Sequence, residues 1–292
     1  MDYFNSNTPL EKYSIKGRDV FVKREDLQGD GKYLPNWGKI YGIKKYIENN
    51  IDRNKPLTSL SINGSWSGWL VSAICDELGI DYYYSFPNSK KFNRTILTDV
   101  KNKYPNTKLN PIKPNMTSVM FNIMKKQAIE NDWQIIPYGF NHSDFVDSFS
   151  ERVKPYNDYD NLFVGSGSGL SVCGLSKGFL NGNNKIYTSV VSSLSTLNKR
   201  LMDYEVDTDK IVSIKSKYDF NDQMRGFETP FPSNQFWDKK AWKYLTDIID
   251  DVKDRKGRRN SMFIRKTSAR PSVFVILCWL LYIISRYVCT RV

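Results

Sequence analysis

Lys39 stands where a polar, Gly/Pro-rich stretch gives way to a helical pattern, in 20-VFVKREDLQGDGKYLPNWGKIYGIKKYI-47. An amine at the mouth of a helix meets the positive ends of backbone dipoles. These disfavour its charged form and lower its pKa, as a nucleophilic or proton-carrying lysine requires. Two other loops have compositions suited to binding. One is 63-NGSWSGW-69, a Gly/Ser loop between an apolar run and a helical one; the other is 165-GSGSGLSVCGL-175, again between a strand pattern and a helix pattern. Glycines in the second let several N–H groups turn toward one point, and the helix behind adds its positive end, an arrangement that suits a phosphate. No GK[ST] closes this loop, and its spacing does not fit GxGxxG followed by a ribose-binding acid, so it is neither a P-loop nor a dinucleotide fingerprint. An unliganded turn would carry the same residues, just as an exposed lysine would satisfy position 39.

Much chemistry is excluded by what the chain lacks. His142 is its only histidine, which argues against a paired-histidine mechanism or a His-rich metal site. Cys75, Cys173, Cys278 and Cys289 are scattered with no CxxC pair, pointing to a reducing cytoplasm without a disulfide frame. The start, MDYFNSNTPLEKYS, has no apolar core of a signal peptide. The net charge of +12 is concentrated: from Lys253 onward there are ten Lys/Arg and one acid, leaving +3 for residues 1–252. Such a basic run is usually a solvated tail, and it leaves open a nucleic-acid contact.

The elements that must carry these loops alternate. VFVKRE (20–25), LTSLSIN (57–63), DYYYSFP (81–87), WQIIPYG (133–139), NLFVGSG (161–167), KIYTSVV (185–191) and KIVSI (210–214) are expected strands. GWLVSAICDELG (68–79) and TSVMFNIMKKQAIEN (117–131) have helical spacing. This alternation, with Gly or Pro at most boundaries, predicts an α/β protein with mostly parallel sheets. Its ligand loops should lie beyond the carboxyl ends of the strands. The apolar run VFVILCWLLYII (273–284) is too short to span a membrane and reads as a buried strand or helix; its basic flanks leave a peripheral membrane contact as the weaker alternative.

Taken in order, 8-TPLE-11, 23-KREDL-27, 38-GKIYGIKKYI-47, 137-PYG-139, the glycine loop at 167–171 and 236-FWDKKAWKYL-245 resemble the fold-type-II, tryptophan-synthase-β-like pyridoxal-phosphate enzymes. The resemblance is nearest the aminocyclopropane-carboxylate deaminase and D-cysteine desulfhydrase branch, and it spans roughly residues 8–274. It implies two three-layer α/β domains with a cofactor cleft between them: a larger one from 1–45 plus 146–270, a smaller inserted one at 46–145, and a C-terminal tail at 271–292. It further implies a homodimer.

The resemblance also assigns residues. Lys39 would form the Schiff base with pyridoxal 5'-phosphate, with Lys32 the competing lysine. Gly167, Ser168, Gly169, Leu170 and Ser171 would hold the phosphate, although Leu170 stands where a small residue is usual. Ser65, the second catalytic candidate, with Trp66, Ser67 and Gly68 would bind the substrate. Asn63 would replace the family's asparagine at the cofactor's phenolic oxygen, and Asp238 or Thr267 would face the pyridine nitrogen. Gly38, Trp66, Ser67 and Trp237 depart from the family's residues, and Trp66 and Trp69 read equally as core. Three functions follow. The first is a lyase, deaminase or decarboxylase acting on a small amino acid. The second is a decarboxylase or lyase for an amino acid attached to a nucleic-acid base, as in viral thymidine hypermodification. The third is a non-catalytic binding module on the same fold.

Overall fold

The computed structural model describes residues 8–25, 39–62, 65, 67–89, 94–218, 222, 224–231, 233, 238–252 and 273–277. They fall into two compact units, one holding the described residues up to Lys39 and those from Val146 on, the other holding Ile40–Phe145.

The first unit opens with β1 (Leu10–Ile15) and β2 (Arg18–Arg24), an antiparallel pair joined at Lys16 and Gly17, both at positive φ. The chain then passes to the second unit. There α1 (Ile40–Asn50) precedes β3 (Leu57–Leu60), α2 (Ser67–Leu78), β4 (Tyr82–Pro87), α3 (Arg94–Lys103), β5 (Thr107–Ile112), α4 (Thr117–Glu130) and β6 (Gln134–Ile135). These strands form a parallel sheet in the order β5-β4-β3-β6.

After α5 (Ser143–Val153) the first unit resumes with β7 (Asn161–Ser166), α6 (Leu170–Phe179), β8 (Lys185–Val190), α7 (Leu194–Asp203), β9 (Ile211–Lys215), α8 (Asp238–Ile248) and β10 (Val273–Leu277). Its sheet runs β1-β2-β10-β7-β8-β9, with every pair parallel except β1 with β2. The expected α/β architecture with mostly parallel sheets is therefore present. The apolar run that begins at 273 enters this sheet as β10, between β2 and β7.

Two expected strands fall short of their apolar runs by three residues or more. The run at 133–139 yields only Gln134–Ile135. Ile136 N still donates to Thr58 O at 3.0 Å, but Pro137 has no N–H to continue the ladder and Gly139 turns at φ 65. The run at 57–63 stays regular only to Leu60. In the first unit α8 lays Ala241, Trp242 and Leu245, with Ile249 just past its end, on Ile15, Val20, Val22 and Phe163, which places a core on one face of the larger sheet.

Candidate active site

Lys39 is the turn residue directly ahead of α1 and is buried, at 7% exposure. A lysine this enclosed is not the exposed charge that most lysines are. It belongs with the glycine loop and Asp238 to the first unit, whereas Ser65, Ser67 and Gly68 belong to the second. Gly38, Asn63, Trp66, Trp237 and Thr267 lie outside the described residues, as do Lys32 and the basic residues at 253–272.

The glycine loop leaves the carboxyl end of β7 and enters α6. Gly169 occupies the position before the helix in the left-handed region, φ 88 and ψ −15, and no side chain caps the helix. A Cβ at Gly169 would meet Leu197 Cδ1 at 3.0 Å and Arg200 Cβ at 3.3 Å, so both backbone angle and space call for glycine. The loop is strapped from behind. Ser192 Oγ donates to Gly167 O, Val191 N donates to Ser166 O at 3.0 Å, and Lys215 Nζ donates to Val191 O at 3.0 Å and Ser192 O at 2.7 Å. The Gly167 carbonyl is thus turned toward Ser192. Because a trans peptide holds its N–H opposite its C=O, the Ser168 N–H points the other way.

Ser166 Oγ, just before the loop, is buried and has no hydrogen-bond partner among the described residues. Ser171 is buried in the first turn of α6, and Leu170 places its side chain in the core. An uncapped helix start, a strapped glycine turn and an orphan hydroxyl make a cradle whose chemistry fits a phosphate.

Asp238 is the first residue of α8 and only 3% exposed, so it is not the solvated acid common in a helix's first turn. Two contacts fix how α8 lies on β7. The Tyr244 and Phe163 rings have centroids 5.4 Å apart, and a Cβ at Gly165 would lie 3.1 Å from Ala241 Cβ. The helix therefore runs opposite to β7, its N-terminus at the strand's carboxyl end. Asp238, three residues before Ala241, lies roughly 4.5 Å further along. That brings it level with Ser166–Gly167, at the start of the glycine loop, given about 3.3 Å per strand residue. Lys239 and Lys240 are buried beside it, and Lys239 Nζ stands 3.5 Å from Glu228 Oε1.

In the second unit the loop before α2 closes on itself through hydroxyls. Ser67 N donates to Ser65 Oγ at 3.2 Å and Gly68 N donates to Ser61 Oγ at 2.8 Å, while Ser67 Oγ lies 2.7 Å from Ser65 Oγ and 3.0 Å from Ser61 Oγ. Gly68 is fixed by space: a Cβ there would fall 2.1 Å from Tyr84 Cε2. Trp69 is core, 2% exposed, with Nε1 donating to Tyr104 OH at 3.0 Å. Sequence reasoning passed over Ser61, Ser192 and Lys215, and met Gly165 only as the first residue of the quoted loop. Gly165 alone carried a signal, as a glycine inside a strand pattern.

At the carboxyl end of β2, Lys23 and Glu25 belong to a buried ion network. Glu25 accepts from Thr8 Oγ1 at 3.0 Å and pairs with Arg152; Lys23 Nζ donates to Thr8 O at 2.6 Å and lies 3.7 Å from Glu25. Burial pushes the Lys23 pKa down, with Arg152 adding to it and Glu25 opposing. These pairs pin the strand and the segment at Thr8, a structural role.

Among the described residues no helix is long and apolar enough to cross a membrane. No protein-family model matches the chain. A curated relative from Pseudomonas phage M6, named a glycyl-dTMP PLP-dependent decarboxylase, is 27% identical over 262 residues, covering 83% of this chain and 92% of the relative. Among solved structures, an aminocyclopropane-carboxylate deaminase homologue superposes with a TM-score of 0.68 at 15% identity, covering 94% of this chain and 90% of the other. A hydrogen sulfide-producing enzyme of Fusobacterium nucleatum gives 0.64 at 14%, covering 93% and 92%. Threonine deaminase isoform 2 of Solanum lycopersicum gives 0.66 at 12%, covering 96% and 81%. The chain thus has the fold of the fold-type-II pyridoxal-phosphate-dependent enzymes, and its sequence is similar to that of the phage decarboxylase along most of both chains.

Proposed function

We propose that this enzyme is a pyridoxal-phosphate-dependent decarboxylase that removes CO2 from an amino acid carried on a thymidine-type nucleotide. The observation that carries this reading is the likeness to the phage glycyl-dTMP decarboxylase along most of both chains. The entrance of α2 supports it. The resemblance assigns the substrate carboxylate to that entrance, yet here the Ser67 and Gly68 N–H groups are already taken by Ser65 and Ser61. A carboxylate denied those two N–H groups gains less as an anion in the ground state, which favours its departure as neutral CO2.

In this reading Lys39 tethers the cofactor, and Ser166, Gly167, Ser168, Gly169 and Ser171 hold its phosphate, with the Leu170 N–H adding to the helix start. Asp238 keeps the pyridine nitrogen protonated. Bound there, pyridoxal phosphate would supply an electron sink beside the substrate's α-carbon. Lys39 Nζ, freed from its tether by the substrate amine, would deliver to that carbon the proton that replaces CO2. The Ser65 and Ser67 hydroxyls would offer a substrate hydrogen bonds without a charge. The basic residues from Lys253 onward would favour a nucleotide within DNA over a free one.

Purified holoprotein should be yellow and should release CO2 from carboxyl-labelled glycyl-dTMP, or from the same group within a thymidine oligonucleotide, but not from free glycine. Lys39→Ala should be colourless and inert in the same assay. A yellow protein that leaves both nucleotide forms intact while turning over a free amino acid would overturn the proposal.

A further inference from the structure

Gly165 lies inside β7, two residues before the glycine loop, and nothing about its backbone requires a glycine: no positive φ is found there. A glycine inside a strand weakens it, so its presence points to a close approach by another element. The element is α8. A Cβ on Gly165 would sit 3.1 Å from Ala241 Cβ, closer than side chains normally pack. Next along, the helix meets the sheet through large groups: Tyr244 stands off on Phe163 of β7 with ring centroids 5.4 Å apart, and Trp242 packs edge-on to Tyr13 of β1 at 6.2 Å. The small pair lies in the first turn of α8, three residues ahead of Tyr244.

We infer that Gly165 is a positioning residue: it sets the depth of the α8 first turn and so the place of the Asp238 carboxylate at the glycine loop. The inference rests on the reading that Asp238 faces the cofactor's pyridine nitrogen, and it adds the residue that holds the acid in register. Asp238 lies one turn beyond the Gly165–Ala241 contact, so a helix lifted at that contact carries the carboxylate outward with it. Hydrogen bonds weaken steeply with distance and angle, so displacement by a few tenths of an ångström is enough to register.

The test compares pyridoxal phosphate with an analogue that has carbon in place of the ring nitrogen, binding each to the full-length apoprotein and following the visible absorption of the bound form. Gly165→Ala should weaken the natural cofactor about tenfold while changing the analogue by less than about threefold, the signature of a damaged charge-assisted hydrogen bond. Gly165→Ala with Ala241→Gly, which returns the lost space, should restore cofactor affinity. Where Gly165→Ala is not recovered folded, Ala241→Val crowds the same contact from the helix side and should give the same selective loss.

Equal weakening of both ligands, no weakening of either, or a double variant that stays defective would overturn the role of Gly165. Asp238→Asn separates this from the underlying reading. If it fails to discriminate between the two ligands, the acid does not face the nitrogen, and both ideas fall together. If it discriminates while Gly165→Ala does not, only the seat is lost.

Discussion

Cys173 sits in α6 a few residues past the glycine loop, its thiol donating to Arg200 O at 3.5 Å. Burial pushes its pKa from 9.0 up to about 12, with Arg200 and Lys177 opposing the rise. Since the thiolate is the reactive form, alkylation at pH 8 followed by peptide mapping should leave Cys173 unmodified in native protein and label it fully in urea. Labelling at equal rates in both would show that the α6 start is open to solvent. The same shift makes stability depend on pH. The folded state holds the proton more tightly than the unfolded one, so the contribution is complete below about pH 9 and fades as pH rises through about 12. Tyr244, raised by burial to about 12, acts in the same direction from its own ordinary value of 10.0. Cys173→Ala should therefore flatten, without abolishing, the fall in urea midpoint between pH 9 and pH 11.

At the scale of elements, α6 is held against α5 by two glycines one turn apart. A Cβ at Gly174 would lie 2.5 Å from Phe149 Cβ and 2.5 Å from Val146 O; at Gly178 it would lie 2.1 Å from Ser150 O. Backbone cannot give way as a flexible side chain can. Gly174→Ala or Gly178→Ala should therefore cost roughly 1–3 kcal/mol, or more, in urea unfolding of the apoprotein. An unchanged midpoint for Gly178→Ala would mean that the two helices do not meet at backbone distance. This close seat matters because α6 carries the cradle at its N-terminus. The sequence revealed α6 and its loop because an apolar strand run, glycines and an apolar helix follow one another without interruption. The elements it hid are mostly edges or amphipathic helices. β1 reads LEKYSI and β5 reads TKLNPI, polar and broken by proline in β5, as strands at the rim of a sheet tend to be. Lys39 and the glycine loop could be picked out because residue type and order carry their chemistry. The Ser61 and Ser65 caps, and the Gly165 seat, could not, because their meaning lies in what stands opposite them in space.

For the whole molecule, β10 makes the larger sheet continuous. Val275 is in register with Val22 of β2 on one side and Phe163 of β7 on the other, so residues some 250 positions earlier in the chain depend on this strand for their ladder. β2 leads toward Lys39, and β7 ends in the glycine loop, so the two halves of the proposed cofactor site hang from strands that do not pair with each other directly. Without β10 both would face a gap of one strand width with unpaired N–H and C=O groups, an arrangement that costs free energy and invites aggregation. A proline in a central strand removes a ladder donor and is excluded from such positions in native sheets. Val275→Pro should thus destabilise by about 3 kcal/mol or more, reduce soluble yield sharply and lose the visible band of bound cofactor. Val275→Ile, which keeps the N–H and suits a strand, should leave both nearly unchanged. Soluble, yellow Val275→Pro protein would mean that β2 and β7 hold their positions without the strand between them. The cofactor site would then owe its alignment to the helices on the sheet's faces, with α8 on Gly165 the foremost of them.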